Sequence, residues 1–166
     1  MRKAIVPGIF ITLALAFMAT PSSFAADATW LTDFARAKSL AEHRNKPILV
    51  NASGSDWCGW CIKLSREVFE KQAFQEFADD EFILFEADFP RHKEQSEQIQ
   101  VQNDKLMEDY NIRGFPTVLV LDANGDVLAR TGYRSGGACK YVRHLKSLLE
   151  QHASVGVGGL LQRILR

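Results

Sequence analysis

Apolar residues recur at a spacing of three or four positions in several stretches of the chain, with polar and charged residues between them. This spacing is that of an amphipathic α-helix. It predicts helices over residues 30–44, 58–69 and 138–152, and the apolar face of the second continues beyond a break near Gln72. A polar, charge-rich run over residues 91–109 predicts a loop followed by a solvated surface helix without a partner.

Short, uninterrupted apolar or β-rich runs predict strands over residues 48–50, 82–85, 117–121 and 127–131. The first strand leads into a small polar loop, residues 51–56, and Asn124-Gly125 favours the positive φ values of a tight hairpin turn between the last two. The predicted order is helix, strand, helix, strand, helix, two hairpin strands and helix. It indicates an α/β fold with a central mixed sheet of about four strands flanked by helices.

The N-terminus has a different pattern from the rest of the chain. Arg2 and Lys3 precede an uncharged apolar run, and Pro21 to Ala25 form a small-residue exit. These features predict a cleaved secretory signal peptide and export to the periplasm. An uncleaved anchor is the weaker alternative, because the apolar stretch is shorter than the ~20 residues that span a bilayer. The expected organisation is a signal peptide at residues 1–25, one domain at 26–152 and a C-terminal tail at 153–166.

The charge balance and the cysteine content narrow the possible functions. The 20 Lys and Arg residues match 20 Asp and Glu residues, so nothing favours nucleic acid as a partner. Three cysteines are too few for a disulfide-built scaffold, so cysteine is expected to act through its chemistry. Cys139 stands alone near the start of the last predicted helix and is expected to be a semi-buried structural thiol.

Cys58 and Cys61 form a C-x-x-C motif between a predicted strand and a predicted helix. Backbone N–H groups at a helix N-terminus favour a thiolate, so we expect a lowered pKa and a nucleophilic role for Cys58. Cys61 lies nearly one turn further and is expected to resolve the mixed disulfide. The competing interpretations are a structural disulfide, a metal site and two unrelated core cysteines. Neither a second C-x-x-C nor a spaced His pair supplies zinc ligands, so no metal or organic cofactor is expected.

A second motif, Gly114-Phe115-Pro116-Thr117, precedes the third predicted strand, and a proline there cannot continue a central ladder. With the Trp57 to Cys61 motif and the order of elements, it makes residues 30–151 resemble the thioredoxin superfamily, in particular exported bacterial thioredoxin-like proteins. The resemblance implies that Pro116 is cis against the cysteine pair and that the backbone of Phe115 binds an extended substrate segment. Trp57 and Trp60, beside the cysteines, are assigned to substrate binding with them.

The chain departs from the superfamily pattern at the buried acid that serves the resolving cysteine. Thioredoxins usually have a buried Asp at the end of the strand before the active-site loop and a Lys on the neighbouring strand. The matching positions here hold Asn51 and Glu86, and an amide cannot accept the proton. We expect Glu86 to replace that acid as a catalytic group, because desolvation in a mostly apolar strand raises a carboxyl pKa and allows proton exchange with Cys61. The equally weighted alternative is that Glu86 faces solvent.

The residues around the cysteines favour one direction of electron flow. Gly59 and Trp60 bring no positive charge, and Asp56 adds a negative charge that disfavours the thiolate. We therefore expect a disulfide reductase, monomeric, acting on disulfide-bonded protein substrates and re-reduced by a membrane electron donor. The alternatives are a disulfide oxidase or isomerase and, in a different class, a copper-binding thiol chaperone. The Phe115-Pro116 segment argues against the chaperone, since a metal carrier does not need a peptide groove.

Overall fold

The computed structural model of the protein describes residues 29–164 and the side chains of residues 29–152. The predicted signal peptide lies outside the described residues. The elements are α1 (Phe34–Arg44), β1 (Ile48–Ser53), α2 (Gly59–Leu64), a π-helical segment (Ser65–Phe69), α3 (Gln72–Glu81), β2 (Ile83–Asp88), α4 (Glu97–Asp109), β3 (Thr117–Leu121), β4 (Val127–Thr131) and α5 (Gly137–Ile164). The predicted α/β fold and order of elements are confirmed, including the break before Gln72.

One four-stranded sheet with the order β2-β1-β3-β4 forms the centre of the fold. Strand β1 pairs parallel with β2 and antiparallel with β3, and β3 and β4 form the predicted antiparallel hairpin. Helices cover both faces: α3, α5 and the π-helical segment pack on one, and α1 and α4 on the other. All six residues of β1 are buried, which explains the continuous apolar run at its start.

Strand β1 is longer than its apolar run. Asn51, Ala52 and Ser53, which were predicted to begin a loop, continue the strand, and their side chains are buried. Asn51 and Ala52 are paired with strands on both sides and Ser53 with β2, so a polar side chain here does not end the strand. The extension places Asn51 directly opposite Glu86 on β2.

Helix α1 begins at Phe34, later than the predicted start at residue 30. Asp33 is its N-cap, with a side chain that accepts a hydrogen bond from the Arg36 N–H at 3.0 Å. Leu31 instead bridges to the outer edge of β2, donating to the Leu84 carbonyl at 2.9 Å and accepting from the Glu86 N–H at 2.8 Å. The apolar Leu31 therefore covers a sheet edge rather than a helix face.

Helix α4 packs against the domain, so the prediction of a surface helix without a partner is wrong. Gln102 accepts from the Phe34 N–H and donates to the Thr32 carbonyl, both at 2.9 Å. Asn103 is almost fully buried and donates to the Asp88 carbonyl at 2.9 Å, beside the buried Leu106. These amide side chains bind backbone groups at the ends of other elements, which a polarity pattern cannot distinguish from solvation.

The hairpin turn uses one residue with positive φ rather than an Asn-Gly pair. Gly125 has φ +99°, whereas Asn124 is not among the described residues with positive φ. The Asp122 carboxylate accepts from the N–H groups of Gly125 and Asp126, both at 2.9 Å. The side chain of Asp122 thus organises a wider turn, with a register shift beside it at Leu121.

Helix α5 continues to Ile164, past residue 152 where the sequence predicted a tail. Cys139, in its first turn, is exposed, so the expectation of a semi-buried thiol is wrong. Its neighbours Ala138 and Tyr141 occupy the buried face of the helix instead. Within the part of the chain that the structure describes, no helix combines the length and apolar character required to cross a membrane.

Candidate active site

The two cysteines of the C-x-x-C motif lie at the junction between β1 and α2, as predicted. Cys58 is the N-cap of α2, and its sulfur accepts a hydrogen bond from the Cys61 N–H at 3.3 Å. Cys58 and Cys61 are joined as a disulfide, with Cα atoms 5.2 Å apart. Both are largely buried, at 7% and 5% exposure. The pair is therefore arranged so that an N–H donor points at the sulfur of the first cysteine.

The Phe115–Pro116 peptide bond is cis, as the resemblance implied. The Phe115 ring lies 5.8 Å from the Trp57 ring in an edge-to-face arrangement and 5.0 Å from the Phe89 ring. These contacts join the loop before β3 to the residue that precedes Cys58. The cis Phe115–Pro116 segment is therefore held against the residue next to the cysteine pair.

The indole of Trp57 is held by other residues of the protein. Its Nε1–H donates to the Phe89 carbonyl at 2.8 Å, and the Arg91 guanidinium lies over the ring, with Cζ 3.7 Å from the centroid. Gly54 also packs against it: a Cβ at this position would lie 2.5 Å from Trp57 Cε2. The polar group of the Trp57 side chain is thus already bonded within the domain.

Trp60, by contrast, projects into solvent with 58% exposure. Its ring lies 5.1 Å from that of Tyr133, and Lys63 Nζ lies 5.2 Å from the Trp60 ring and 5.3 Å from the Tyr133 ring. The Tyr133 hydroxyl donates to Glu67 Oε2 at 2.8 Å. Tyr133 was not identified from the sequence, because only the folded chain brings it next to the motif.

The segment that follows β2 is bound to the active-site loop by two carboxylates. Asp88 accepts from the Ser55 N–H at 2.9 Å and the Ser55 hydroxyl at 2.6 Å. Asp56 accepts from the backbone N–H groups of Arg91, at 3.0 Å, and His92, at 2.7 Å, and these bonds lower the pKa of Asp56. The sequence analysis expected the Asp56 charge to act on the thiolate. In the structure this carboxylate is hydrogen-bonded to the two backbone N–H groups.

A cavity of about 410 Å³ lies beside Cys61, with Asn51 and Glu86 also in its wall. Glu86 is half-buried, which lies between the desolvated and the solvent-facing alternatives of the sequence analysis. Asn51 Nδ2 donates to its Oε1 at 3.5 Å. Burial and, secondarily, the charge of Asp88 raise the pKa of the Glu86 carboxyl. The buried Oδ1 of Asn51 has no hydrogen-bond partner among the described residues. A carboxyl that is costly to ionise therefore shares a cavity with the second cysteine.

No group of three or more His, Cys, Asp and Glu side chains suited to holding a metal ion occurs among residues 29–152. The two sulfurs of the motif are joined to each other. Within that part of the chain the cavity wall includes two carboxyls, those of Glu70 and Glu86, with the amides of Asn51 and Gln75 and serine hydroxyls, and they form no such group.

We expect Gly54→Ala to destabilise the protein by about 1–3 kcal/mol, the usual effect of overpacking. The added methyl group meets the Trp57 ring, which its bond to Phe89 and its contact with Arg91 prevent from moving freely. The free energy of unfolding from denaturant titration measures the effect. Gly114→Ala is the control, because a methyl group there meets no atom within 4 Å. Equal stability of the two variants would contradict this description of Trp57.

We also expect Glu86 to make stability depend on pH. Because its pKa is raised in the folded state, its contribution is fully present below the ordinary value of 4.5 and is lost as pH rises through the folded-state pKa. Glu86→Gln cannot ionise and has no such loss. The free energy of unfolding of the oxidised wild type, minus that of Glu86→Gln, should therefore decrease between pH 4 and 8. A difference independent of pH would show that Glu86 is not desolvated.

Comparisons with known proteins agree with this geometry. A family model described as a thioredoxin-like domain matches residues 34–154. The chain is 36% identical over 126 residues to the disulfide bond reductase DsbH of Chlamydia pneumoniae, covering 76% of this chain and 75% of that protein. A solved structure of DsbH oxidoreductase has a TM-score of 0.74 at 34% identity, covering 83% of this chain and 95% of that one. A thioredoxin from Thermus thermophilus shares the fold, with a TM-score of 0.59 at 14% identity over 78% of this chain and 93% of its own. The chain therefore belongs to the thioredoxin-like family.

Proposed function

We propose that this protein is an exported disulfide reductase, with Cys58 as the nucleophile and Cys61 as the resolving cysteine. The C-x-x-C pair makes it a DsbH-like thiol–disulfide oxidoreductase, and the reducing direction and the export are the parts that we propose. The observation that carries the proposal is the position of Cys58 at the start of α2, with its sulfur facing the Cys61 N–H, in a loop that contacts the cis Phe115–Pro116 segment.

The reaction consists of two exchanges. The Cys58 thiolate attacks one sulfur of a substrate disulfide, which forms a mixed disulfide and releases the other substrate sulfur as a thiolate that takes up a proton. The Cys61 thiolate then attacks the Cys58 sulfur, which restores the Cys58–Cys61 disulfide and releases the second substrate thiol. Two electrons pass to the substrate, so an external dithiol donor, proposed to be a membrane protein, must return two electrons and two protons.

Substrate binding is assigned to the residues around the pair. The backbone of Phe115, before the cis Pro116, is suited to pair with an extended segment, and the exposed Trp60 offers an apolar surface beside Cys58. Trp57 acts differently, because its indole N–H is bound to Phe89. It contributes a rigid wall that keeps the Phe115 ring in place.

Glu86 is proposed to accept the proton of Cys61 before the second exchange. Both line one cavity, and a carboxyl with a raised pKa is nearer to the pKa of a thiol than an ordinary carboxyl is. Asn51 can serve both states of Glu86: its Nδ2 donates to the carboxylate, and its free Oδ1 is able to accept from the protonated form. Asn51 is thus a positioning residue for the proton carrier.

The reducing direction rests on Gly59 and Trp60, which provide no positive charge to stabilise a thiolate strongly. The relative named as a disulfide bond reductase supports the same direction. Asp56 contributes less than its charge suggests, since its carboxylate is bound to two backbone N–H groups. Export rests on the N-terminal pattern of the sequence.

The equilibrium redox potential of the Cys58–Cys61 couple tests the direction. We expect a value nearer to thioredoxin, at about −270 mV, than to the oxidant DsbA, at about −120 mV. It is measured from tryptophan fluorescence in dithiothreitol buffers, with Cys139→Ser to remove the exposed third thiol. Each ~30 mV is a tenfold change in the equilibrium constant of a two-electron couple. A potential near that of DsbA would overturn the proposed direction and leave the oxidase alternative.

Glu86→Gln tests the proton acceptor. We expect re-formation of the Cys58–Cys61 disulfide to slow by roughly 100-fold near pH 7, the lower end of general acid–base catalysis. Stopped-flow fluorescence of the pre-reduced protein mixed with a small disulfide measures this rate between pH 6 and 8. Glu70→Gln is the matched control, because Glu70 lines the same cavity but is exposed and bonded to Ser65. Unchanged rates in Glu86→Gln would remove Glu86 from the mechanism.

A further inference from the structure

The side chain of Arg91 is exposed yet held in place beside the cysteine pair. Its guanidinium lies over the Trp57 ring, with Cζ 3.7 Å from the centroid. Its backbone N–H is bound to the Asp56 carboxylate, so the main chain at its base is fixed as well. Because the Trp57 ring is itself bonded to Phe89, the stacked guanidinium has a defined position on the surface.

Arg91 has no acidic partner within residues 29–152. No carboxylate there lies within ion-pair distance of its guanidinium, and the nearby Asp56 uses its oxygens on backbone N–H groups. Lys63, on the opposite side of the motif, differs because Glu67 lies 3.8 Å from its ammonium. Stacking occupies only the face of a guanidinium, so the N–H donors on the edges of the Arg91 group remain available.

Arg91 is connected to the cis Phe115–Pro116 segment through the Trp57 ring. Trp57 immediately precedes Cys58, and the ring that carries Arg91 also contacts Phe115, whose backbone is proposed to pair with substrate. Arg91 and Phe115 therefore contact one ring, which belongs to the residue directly before the cysteine proposed to attack the substrate.

We propose that Arg91 is a carboxylate-binding subsite, which favours substrate segments with Asp or Glu close to the cysteine that Cys58 attacks. The proposal rests on the proposed function, because it concerns the substrate segment that pairs with the Phe115 backbone. A planar fork of N–H donors matches the two oxygens of a carboxylate, and a charged, preorganised pair is stronger than a neutral hydrogen bond. The neighbouring acids use their oxygens on other groups, Asp56 on backbone N–H groups and Asp88 on Ser55, so neither binds the Arg91 guanidinium in place of a substrate carboxylate.

The test uses disulfide-linked homodimers of a short peptide with one cysteine and a single Glu or Gln, placed in turn at each of the three positions before and after the cysteine. The second-order rate constant for oxidation of the pre-reduced protein is read from tryptophan fluorescence. At one position or more, we expect wild type to prefer the Glu peptide over its Gln counterpart by about 3- to 10-fold.

Variants then assign the preference to Arg91. In Arg91→Gln the ratio of Glu to Gln rate constants should fall to about one, and in Arg91→Glu it should invert, an outcome that loss of folding cannot produce. Lys93→Gln is the matched control, since it removes the same charge two residues away and should keep the wild-type ratio. An equal loss in Lys93→Gln, or an unchanged ratio in Arg91→Gln, would overturn the subsite.

The two proposals fail in different ways. If wild type reduces all the peptides at equal rates, the Arg91 subsite is wrong while the reductase activity stands. If it reduces none of them, although the small disulfide reoxidises it, the proposed action on peptide disulfides fails.

Discussion

The register of β1 with its two neighbours is the constraint on which the site depends. Pairing with β3 sets Ala52 opposite Thr117, directly after the cis proline, and pairing with β2 sets Asn51 opposite Glu86. The same strand ends where the chain turns to place Cys58 at the start of α2. A shift of one residue would turn every side chain of β1 to the opposite face, which would separate the amide from the carboxyl. Burial of β1 on both faces opposes such a shift.

Beyond the sheet, the site is held by polar groups that satisfy backbone N–H donors. Asp88 binds Ser55 in the active-site loop, and Asp56 in that loop binds the backbone after β2. Each carboxylate accepts two hydrogen bonds, and the two sets run in opposite directions between the same two segments, so neither segment moves without exposing unpaired donors. The Trp57 indole adds a further bond, to Phe89. Loops are normally the variable parts of a fold, and here they are tied together next to the reactive sulfur.

Most of the features that could be predicted from the sequence were predicted from hydrophobic periodicity and local motifs. The order of elements and the cysteine pair at a helix start depend on short-range patterns, and the cis proline was implied by resemblance. The features that could not be predicted depend on contacts between segments distant in the sequence. They are the pairing that extends β1 through Ser53, the carbonyl that accepts from the buried Asn103, and the stacking of Arg91 on Trp57. Cys139 shows the limit within one helix, because which face its first turn presents is decided by the burial of Ala138 and Tyr141.

The parallel pairing of β1 and β2 supports the proposed replacement of a buried acid on β1 by Glu86 on β2. Residues directly opposite each other on one face have neighbouring side chains, so a carboxyl can move from one strand to the other and still reach the same cavity. The exchange changes its environment, because Glu86 is only half-buried and Asp88 lies two residues further along the strand. A carboxyl at the wall of an open cavity can return its proton to solvent after the proposed exchange with Cys61. The Asn51 amide, 3.5 Å from Oε1, bonds this carboxyl at the wall of the cavity that Cys61 also lines, which is the placement that the proposed proton exchange requires.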